Sequence, residues 1–412
     1  MSGNYTCDEL TRWIGTEKHY SNHFKPELFA LLQGKNCRSD PVLLLKDVSW
    51  HKSFQQAKPG VSRCSIVDEN VVILLSNFSI NNNFSHFLHA LLRLFCALID
   101  ARWIKWSDTT GTFVQQRTYT IWLDEFFKLS DMKRAWIEAL GAKIRQLPQP
   151  ARGAAGTCVT ASTLLYGSGC VRLLPPEKWF GYPGCRANQV LPAFGAFYRQ
   201  AFQAPTTKHL TVLDQVQSHF LRVAFTVREA TAKTGSRSIS NLAGMQALLL
   251  KTQRVSTSVE NVTYEHLDVP STVRFMAGVH IFIAMHGAGM TNMFFMNPGS
   301  AVVEIIPYPL CTCKSPDFFY GIGSYYHGSA LAQGINHYAY CVPREHVRWH
   351  KPPSGLADDM RCSWKHLHAV ESVHLDPVLF ASLINKVERD LVGSGTIVLT
   401  RPIINMNAHA NG

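Results

Sequence analysis

The stretch VHIFIAMHGAGMTNMFFMNPGSAVVEIIP, residues 279–307, decides the fold. It opens with an unbroken apolar run, 279–285, whose length and β-branched content suit a strand covered on both faces, as in a parallel sheet. His286-Gly-Ala-Gly289 is a turn of small residues. Residues 290–296 read as a short helix, stopped by Asn297-Pro-Gly-Ser300. Residues 301–306 are a second buried strand, ended by Pro307. Strand, glycine turn, helix and strand make a βαβ unit, so the chain is α/β.

That unit carries chemistry. At Gly287, Ala288 and Gly289 a ligand can approach the backbone closely, because glycine has no Cβ. The helix starting there points unpaired N–H groups and partial positive charge into the turn. In an open parallel sheet the turn lies at the carboxyl edge, where ligands bind. A phosphate-bearing donor fits this description. His286, Thr291 and Asn292 frame the pocket, and Glu304 on the next strand is placed to accept from a sugar hydroxyl. The alternative is that the glycines only permit tight packing and that Glu304 is a paired structural acid.

Two further stretches hold candidates. Residues 81–102 read as a helix whose apolar stripe is Phe84, Phe87, Leu88, Leu91, Leu92, Phe95, Leu98 and Ile99. His86, His89 and Arg93 fall on the opposite face, as site groups or as an ordinary exposed basic face. Residues 221–227 read as a strand, followed by a polar loop with Arg228 and Arg237 and a helix over 241–252. Two fixed guanidiniums at a strand's carboxyl end bind a diphosphate bidentately. The competing reading is a solvated basic loop.

The remaining periodicity predicts strands over 41–46, 71–75, 119–123, 163–166 and 334–340, and helices over 130–140, 192–202, 324–332 and 376–392. Ser130 is the expected N-cap of the first of these. Residues 142–156 and 175–192 read as loops.

With 412 residues and 46% hydrophobic content, the chain has length for two or three domains with real cores. Its formal charge of +11 suits an anionic ligand. The basic residues are scattered, without the runs that mark a nucleic-acid tail. The 11 cysteines show no C-x-x-C pair, so some disulfides with at least one thiol left over are expected rather than zinc. The spacing of the C-terminal histidines (His337, His346, His350, His366, His368, His374) matches no zinc pattern either. Sequons occur at Asn4, Asn77, Asn83 and Asn261. No apolar run approaches the ~18 residues of a membrane span, and MSGNYTCDELTRW does not read as a signal peptide.

HGAGMTNMFFMNPGSAVVEIIP closely resembles the signature of glycosyltransferase family 61, HGAGLTN followed by a few apolar residues and PG-x-x-VVEI-x-P. Asn83-Phe-Ser-His-Phe-Leu-His89 matches the family's N-F-x-H-F-x-H, with Ala90 where relatives carry an acid. Arg228, then Arg237-Ser-Ile-Ser-Asn241, resembles its S-R and R-x-I-x-N elements, with a longer loop between them. The resemblance implies a GT-B architecture, two Rossmann-like domains facing across a cleft. On this expectation 1–40 is an N-terminal extension, 41–208 the acceptor-side domain and 209–375 the nucleotide-sugar domain. A crossover helix over 376–396 and a tail over 397–412 complete the chain. The resemblance further implies inverting transfer of N-acetylglucosamine or a pentose from a donor, uridine-diphosphate linked, to a glycan or glycoprotein. No metal or other cofactor is expected, in keeping with the lack of a D-x-D motif. Arg228, Arg237, Asn241 and the 286–292 turn would hold the donor, and His86 or His89 would serve as base. The expected location is the endoplasmic-reticulum or Golgi lumen. Two alternatives stay open: a catalytically silent glycan-binding member, suggested by Ala90, and a cytosolic nucleotide-binding protein, suggested by the lack of an anchor.

Overall fold

The structure, a computed structural model, describes residues 65–67, 71–75, helical positions between 84 and 98, 103–107, 109–110, 112–116, 119–123, 130–146, 157–159, 164–167, 187–205, 220–227, 237–252, 256–264, 267–312, 325–350 and 364–393. The expected strand at 41–46, the N-terminal extension and the tail lie outside these residues, as do His86, His89, Ala90 and Arg228. The chain divides into two compact units, 1–172 with 180–186, and 173–179 with 187–412.

The first unit carries β1 (Ser65–Val67), β2 (Val71–Leu75), β3 (Ile104–Ser107), β4 (Thr112–Gln115), β5 (Tyr119–Leu123), α1 (Asp131–Glu138), β6 (Ala142–Gln146), β7 (Thr157–Val159) and β8 (Leu164–Gly167). Its main sheet runs β6-β5-β2-β8, parallel throughout. The first strand thus sits inside, and the order reverses direction beside it. The helical stripe falls where the 3.6-residue period predicts: Phe87, Leu88, Leu91, Leu92, Phe95 and Leu98 are all buried. Ser130 caps α1, its hydroxyl accepting from Lys133 N at 3.4 Å. The expected loop over 142–156 is corrected at its start, because β6 forms there. Its alternation of Ala142 and Ile144 with Lys143 and Arg145 is polar enough to pass for a loop, and pairing with β5 supplies what the pattern lacks.

The second unit contains α2 (Ala187–Ala201), β9 (Phe220–Thr226), β10 (Ser238–Ile239), α3 (Leu242–Thr252), β11 (Ser256–Val262), α4 (Val269–Ala277), β12 (Ile281–Met285), a 3₁₀ segment (Ala288–Phe295), β13 (Ala301–Pro307), α5 (Tyr325–Gln333), β14 (Asn336–Val342), β15 (Val347–Trp349), α6 (Trp364–Ala369), β16 (Val370–Val373) and α7 (Pro377–Gly393). Its central sheet runs β11-β9-β12-β13-β14, again all parallel. The order reverses between β9 and β12, the point where doubly wound sheets open a crevice at their carboxyl edge. β10, β16 and β15 form a separate small sheet.

Successive strand residues alternate faces. Leu221, Val223, Phe225, Ile281, Ile283, Val303 and Ile305 share one cluster with Met245 and Leu249 of α3 and with Phe380, Ile384, Val387 and Leu391 of α7. The helix expected to cross back from 376 thus lays this apolar face on the second unit's own sheet. Glu304 points the opposite way.

The segment expected to be a helix from 290 starts at Ala288 and is 3₁₀. Its weaker internal bonding is completed from outside. Arg199 of α2 donates to Met296 O at 2.8 Å, and Gln333 of α5 donates to both Phe294 O and Leu191 O at 3.0 Å. These donors satisfy carbonyls that a helix end leaves open. α2 begins at Ala187, ahead of the expected 192, and carries Pro192 inside. It belongs to the second unit. A disulfide joins Cys311, just beyond β13, to Cys341 near the end of β14.

α2 approaches the 3₁₀ segment so closely that a Cβ on Gly195 would stand 2.2 Å from Phe294 O. Gly195→Ala is therefore expected to lower unfolding stability by about 1–3 kcal/mol, as overpacking does, measured by denaturant unfolding. A variant as stable as wild type would show that the two elements separate readily.

Candidate functional site

The backbone of β12 stays in the sheet one residue beyond Met285, since His286 N donates to Ile305 O at 2.9 Å. It leaves at Gly287, where φ is 152° and ψ is −178°. Only glycine adopts that conformation without strain. Gly289 is different. A Cβ there would meet Thr226 Cγ2 at an ordinary 3.6 Å and nothing nearer among the described residues. Gly287 is thus needed for its conformation, while at Gly289 tight packing against the described residues is not the reason, and the glycine leaves room over the turn.

Polar groups gather around that room. Thr291 Oγ1 donates to Ala288 O at 2.6 Å, and Asn292 Nδ2 to Gly289 O at 3.0 Å, each closing its own turn. Among the described residues, Asn292 Oδ1, and Thr226 Oγ1 at the end of β9, are buried without a hydrogen-bond partner. The first N–H groups of the 3₁₀ segment, at Ala288 and Gly289, have no partner within the segment itself. β9 and β12 flank the reversal point of the sheet, so these groups stand at its carboxyl-edge crevice.

Arg237 reaches the same turn. Its guanidinium is buried and donates to His286 O at 3.4 Å. Its φ of 42° is uncommon for a residue with a side chain. No carboxylate among the described residues pairs with it. A buried cation without a counter-charge is costly, and an arriving anion removes that cost.

Beneath the turn lies a buried acid. Glu304 is wholly inaccessible, in the middle of β13. One carboxylate oxygen bonds His286 Nδ1, and the other bonds His337 Nε2 at 2.7 Å. Its neighbours across the ladder are Ala284 and Ala339. Two alanines leave space for the imidazoles to reach it diagonally from the adjoining strands. Burial pushes the Glu304 carboxyl up, but the hydrogen bond and charge of His286, followed by those of His337, outweigh this and hold it at about 2. Tyr326 of α5 closes the side of the turn, donating to Gly287 O at 2.6 Å with its ring against His286. His327 Nδ1 lies 3.3 Å from His337 Nδ1.

The structure thus brings together His286, Gly287, Ala288, Gly289, Thr291, Asn292, Glu304 and Arg237. Asn241 is occupied elsewhere: its amide donates to Leu375 O at 2.8 Å and accepts from Leu375 N at 3.1 Å, pinning the residues after β16. His86, His89 and Arg228 are outside the described residues. Thr226, Tyr326, His327 and His337 are site residues that the sequence reading missed. His337 stood out only as one of six histidines. Alternation along 336–342 assigns it a face, but only the pairing of β14 with β13 brings it to Glu304. Among the described residues, no cluster of three or more His, Cys, Asp or Glu could hold a metal ion.

The profile of the family described as Glycosyltransferase 61 matches residues 84–303. The chain is 29% identical over 123 residues to the xylan glycosyltransferase MUCI21 of Arabidopsis thaliana, covering 29% of this chain and 22% of that protein. It is 33% identical over 75 residues to the protein O-linked-mannose beta-1,4-N-acetylglucosaminyltransferase 2 of Takifugu rubripes, covering 18% of this chain and 13% of that protein. The matched segments therefore span less than a quarter of either relative.

The buried pair makes a pH prediction. The folded-state value of Glu304 lies below the ordinary 4.5, so its contribution is complete above about pH 4.5 and is lost as pH falls toward 2. Glu304→Gln is expected to lose on the order of 3 kcal/mol at pH 7. Its melting temperature should also change less than that of wild type between pH 5 and pH 2. Parallel acid limbs for the two proteins would contradict the assignment.

Proposed function

The chain belongs to glycosyltransferase family 61, and we propose that it transfers a sugar from a nucleotide-sugar donor to a hydroxyl of a glycan or glycoprotein, with the donor's diphosphate held at the 286–292 turn. The observation that carries this reading is Arg237, a buried guanidinium without a carboxylate partner among the described residues, aimed at a glycine turn on the carboxyl edge of a parallel sheet. The proposed sugar is N-acetylglucosamine, which the name of one relative carries, or a pentose such as xylose, in line with the xylan in the name of the other. The proposed donor is uridine-diphosphate linked, as the family resemblance implies.

In the proposed inverting reaction, the acceptor oxygen attacks the anomeric carbon from the side opposite the diphosphate. The bond to the β-phosphate oxygen breaks, and its electron pair leaves with the diphosphate. Arg237, the Ala288 and Gly289 N–H groups and Arg228 would stabilise that charge as preorganised electrostatics, with no metal ion required. The base taking the acceptor proton is proposed to be His86 or His89 in the first unit. The doubly wound sheet of each unit supports a GT-B architecture, in which the first unit would take the acceptor. The Cys311–Cys341 disulfide supports residence in an oxidising lumen of the secretory pathway. A second reading, a silent glycan-binding member, rests on Ala90 standing where relatives carry an acid.

A thermal-shift panel of UDP, UDP-xylose and UDP-N-acetylglucosamine tests the donor site. Binding at one hundred times Kd adds about 2.7 kcal/mol of stability. The expected result is a rise in melting temperature with at least one of them, unchanged by EDTA and abolished in a folded Arg237→Ala protein. No rise with any uridine nucleotide would refute a uridine donor. UDP binding without release of UDP from either sugar donor would favour the silent member.

Location has its own test. Asn261 is an exposed sequon asparagine on β11, an edge strand of the central sheet. In a secretory cell the chain is expected to show a glycosidase-sensitive band shift that decreases in Asn261→Gln. A chain with no glycan at any sequon would count against the lumen.

A further inference from the structure

We propose that His337, backed by His327, is a positioning residue for His286: acting through Glu304, it holds the His286 ring with Nδ1 protonated, so that Nε2 is the atom offered to the leaving diphosphate. The inference rests on the reading of the glycine turn as the donor site.

Three adjacent parallel strands provide the geometry. His286 follows β12, Glu304 lies in β13 and His337 in β14. In the ladder Glu304 faces Ala284 and Ala339. His286 is two residues past Ala284, and His337 is two residues before Ala339. The carboxylate therefore receives one imidazole from the carboxyl side and one from the amino side, on the same face of the sheet.

Hydrogen-bond chemistry then assigns the protons. An ionised carboxylate only accepts, so both nitrogens bonded to Glu304 carry hydrogen. For His286 that nitrogen is Nδ1, and for His337 it is Nε2. His337 Nε2 is thus committed to Glu304, and its other ring nitrogen, Nδ1, is the atom that His327 Nδ1 approaches to 3.3 Å. Each ring is thus oriented by the next, from α5 through β14 and β13 to the turn.

The consequence is a specific chemical state for His286. A buried carboxylate favours a positive charge beside it. An arriving diphosphate is a second anion on the other side of the same ring. Placed between two acceptors, the ring can donate Nδ1–H to Glu304 and Nε2–H to the phosphate oxygen. As the glycosidic bond to phosphate breaks, the electron pair passes to that oxygen, and the Nε2–H hydrogen bond strengthens. Among the described residues, the other titratable or charged groups facing His286 include Tyr326 from α5, at its ring edge, and Arg237, at its carbonyl.

The competing view is that His337 only knits β14 to β13. Ring nitrogen chemical shifts separate the two, using the full chain labelled with ¹⁵N-histidine. In wild type, His286 Nδ1 is expected to read as protonated, and UDP is expected to bring Nε2 to its protonated position. His337→Leu should give His286 mixed tautomers. It should also lower UDP release from UDP-xylose or UDP-N-acetylglucosamine ten- to a hundredfold, in kcat more than KM, the range seen when an orienting partner is removed. His337→Gln, whose amide N–H can still reach Glu304, should keep the tautomer and recover turnover to within a few-fold.

An unprotonated Nδ1 in wild type would overturn the proposal. So would a His337→Leu protein with the wild-type tautomer and turnover, or UDP binding that leaves the His286 signals unmoved. If His337→Leu does not fold, a folded His337→Gln that has lost the tautomer overturns it instead. Failure of UDP to bind wild type would refute the donor-site reading, while the tautomer result still decides whether His337 orients His286.

Discussion

Glu304 is an ionised carboxylate in the middle of a parallel strand, shut off from water. A charge in that place is tolerable only if its oxygens are bonded by groups that can carry or share positive charge. His286 and His337 meet that need, and the surrounding structure follows from it. Alanines stand opposite Glu304 on both neighbouring strands because any larger side chain would close the space that the rings use. The ladder cannot slip by one residue, since Glu304 would then turn into the apolar face shared with α3 and α7.

The constraint reaches the turn. With its ring anchored below the sheet edge, His286 is the last residue of the strand, and the chain must change direction within a single residue. Gly287 takes the conformation that this requires. The 3₁₀ segment then begins at once, and its far end is held by Arg199 and Gln333 rather than by its own ladder. Arg237 enters from a different connection, in a backbone conformation that arginine seldom adopts. Strain of this kind persists where the surroundings enforce it, and it gathers at working sites. The turn is thus defined by strand geometry, by a buried ion pair and by a strained cation, each from a separate stretch of chain.

Much of this was legible in the chain itself. Long apolar runs are a local signal, so β2, β5, β12 and β13 were readable to within a residue or two, as was the buried stripe of the helix after residue 83. The motif residues of the turn were readable too, because their wording is specific. The rest depends on non-local pairing. β6 is short and half polar, and only its place beside β5 makes it a strand. β11 and α4 drew no reading, although Asp268, Pro270 and the buried spacing of Val269, Val273 and Met276 are helix signals for α4. His337 is 33 residues from Glu304, and the register linking them is a property of the sheet. The two readings of Glu304, as sugar contact or as paired acid, could not be separated by sequence. The structure shows the pairing directly.

The Cys311–Cys341 bridge has a kinetic side. β14 is an edge strand of the central sheet, and edge strands fray. Here the carboxyl end of β14 is tied covalently to the segment leaving β13, so β14 cannot peel away at that end alone. Any opening from that end must distort the connection after β13 as well, and with it the end of the strand that carries Glu304. The two strands are therefore joined into one cooperative unit of local unfolding. Amide hydrogens flanking the two cysteines should exchange together, at the pace of the sheet's interior rather than of its margin.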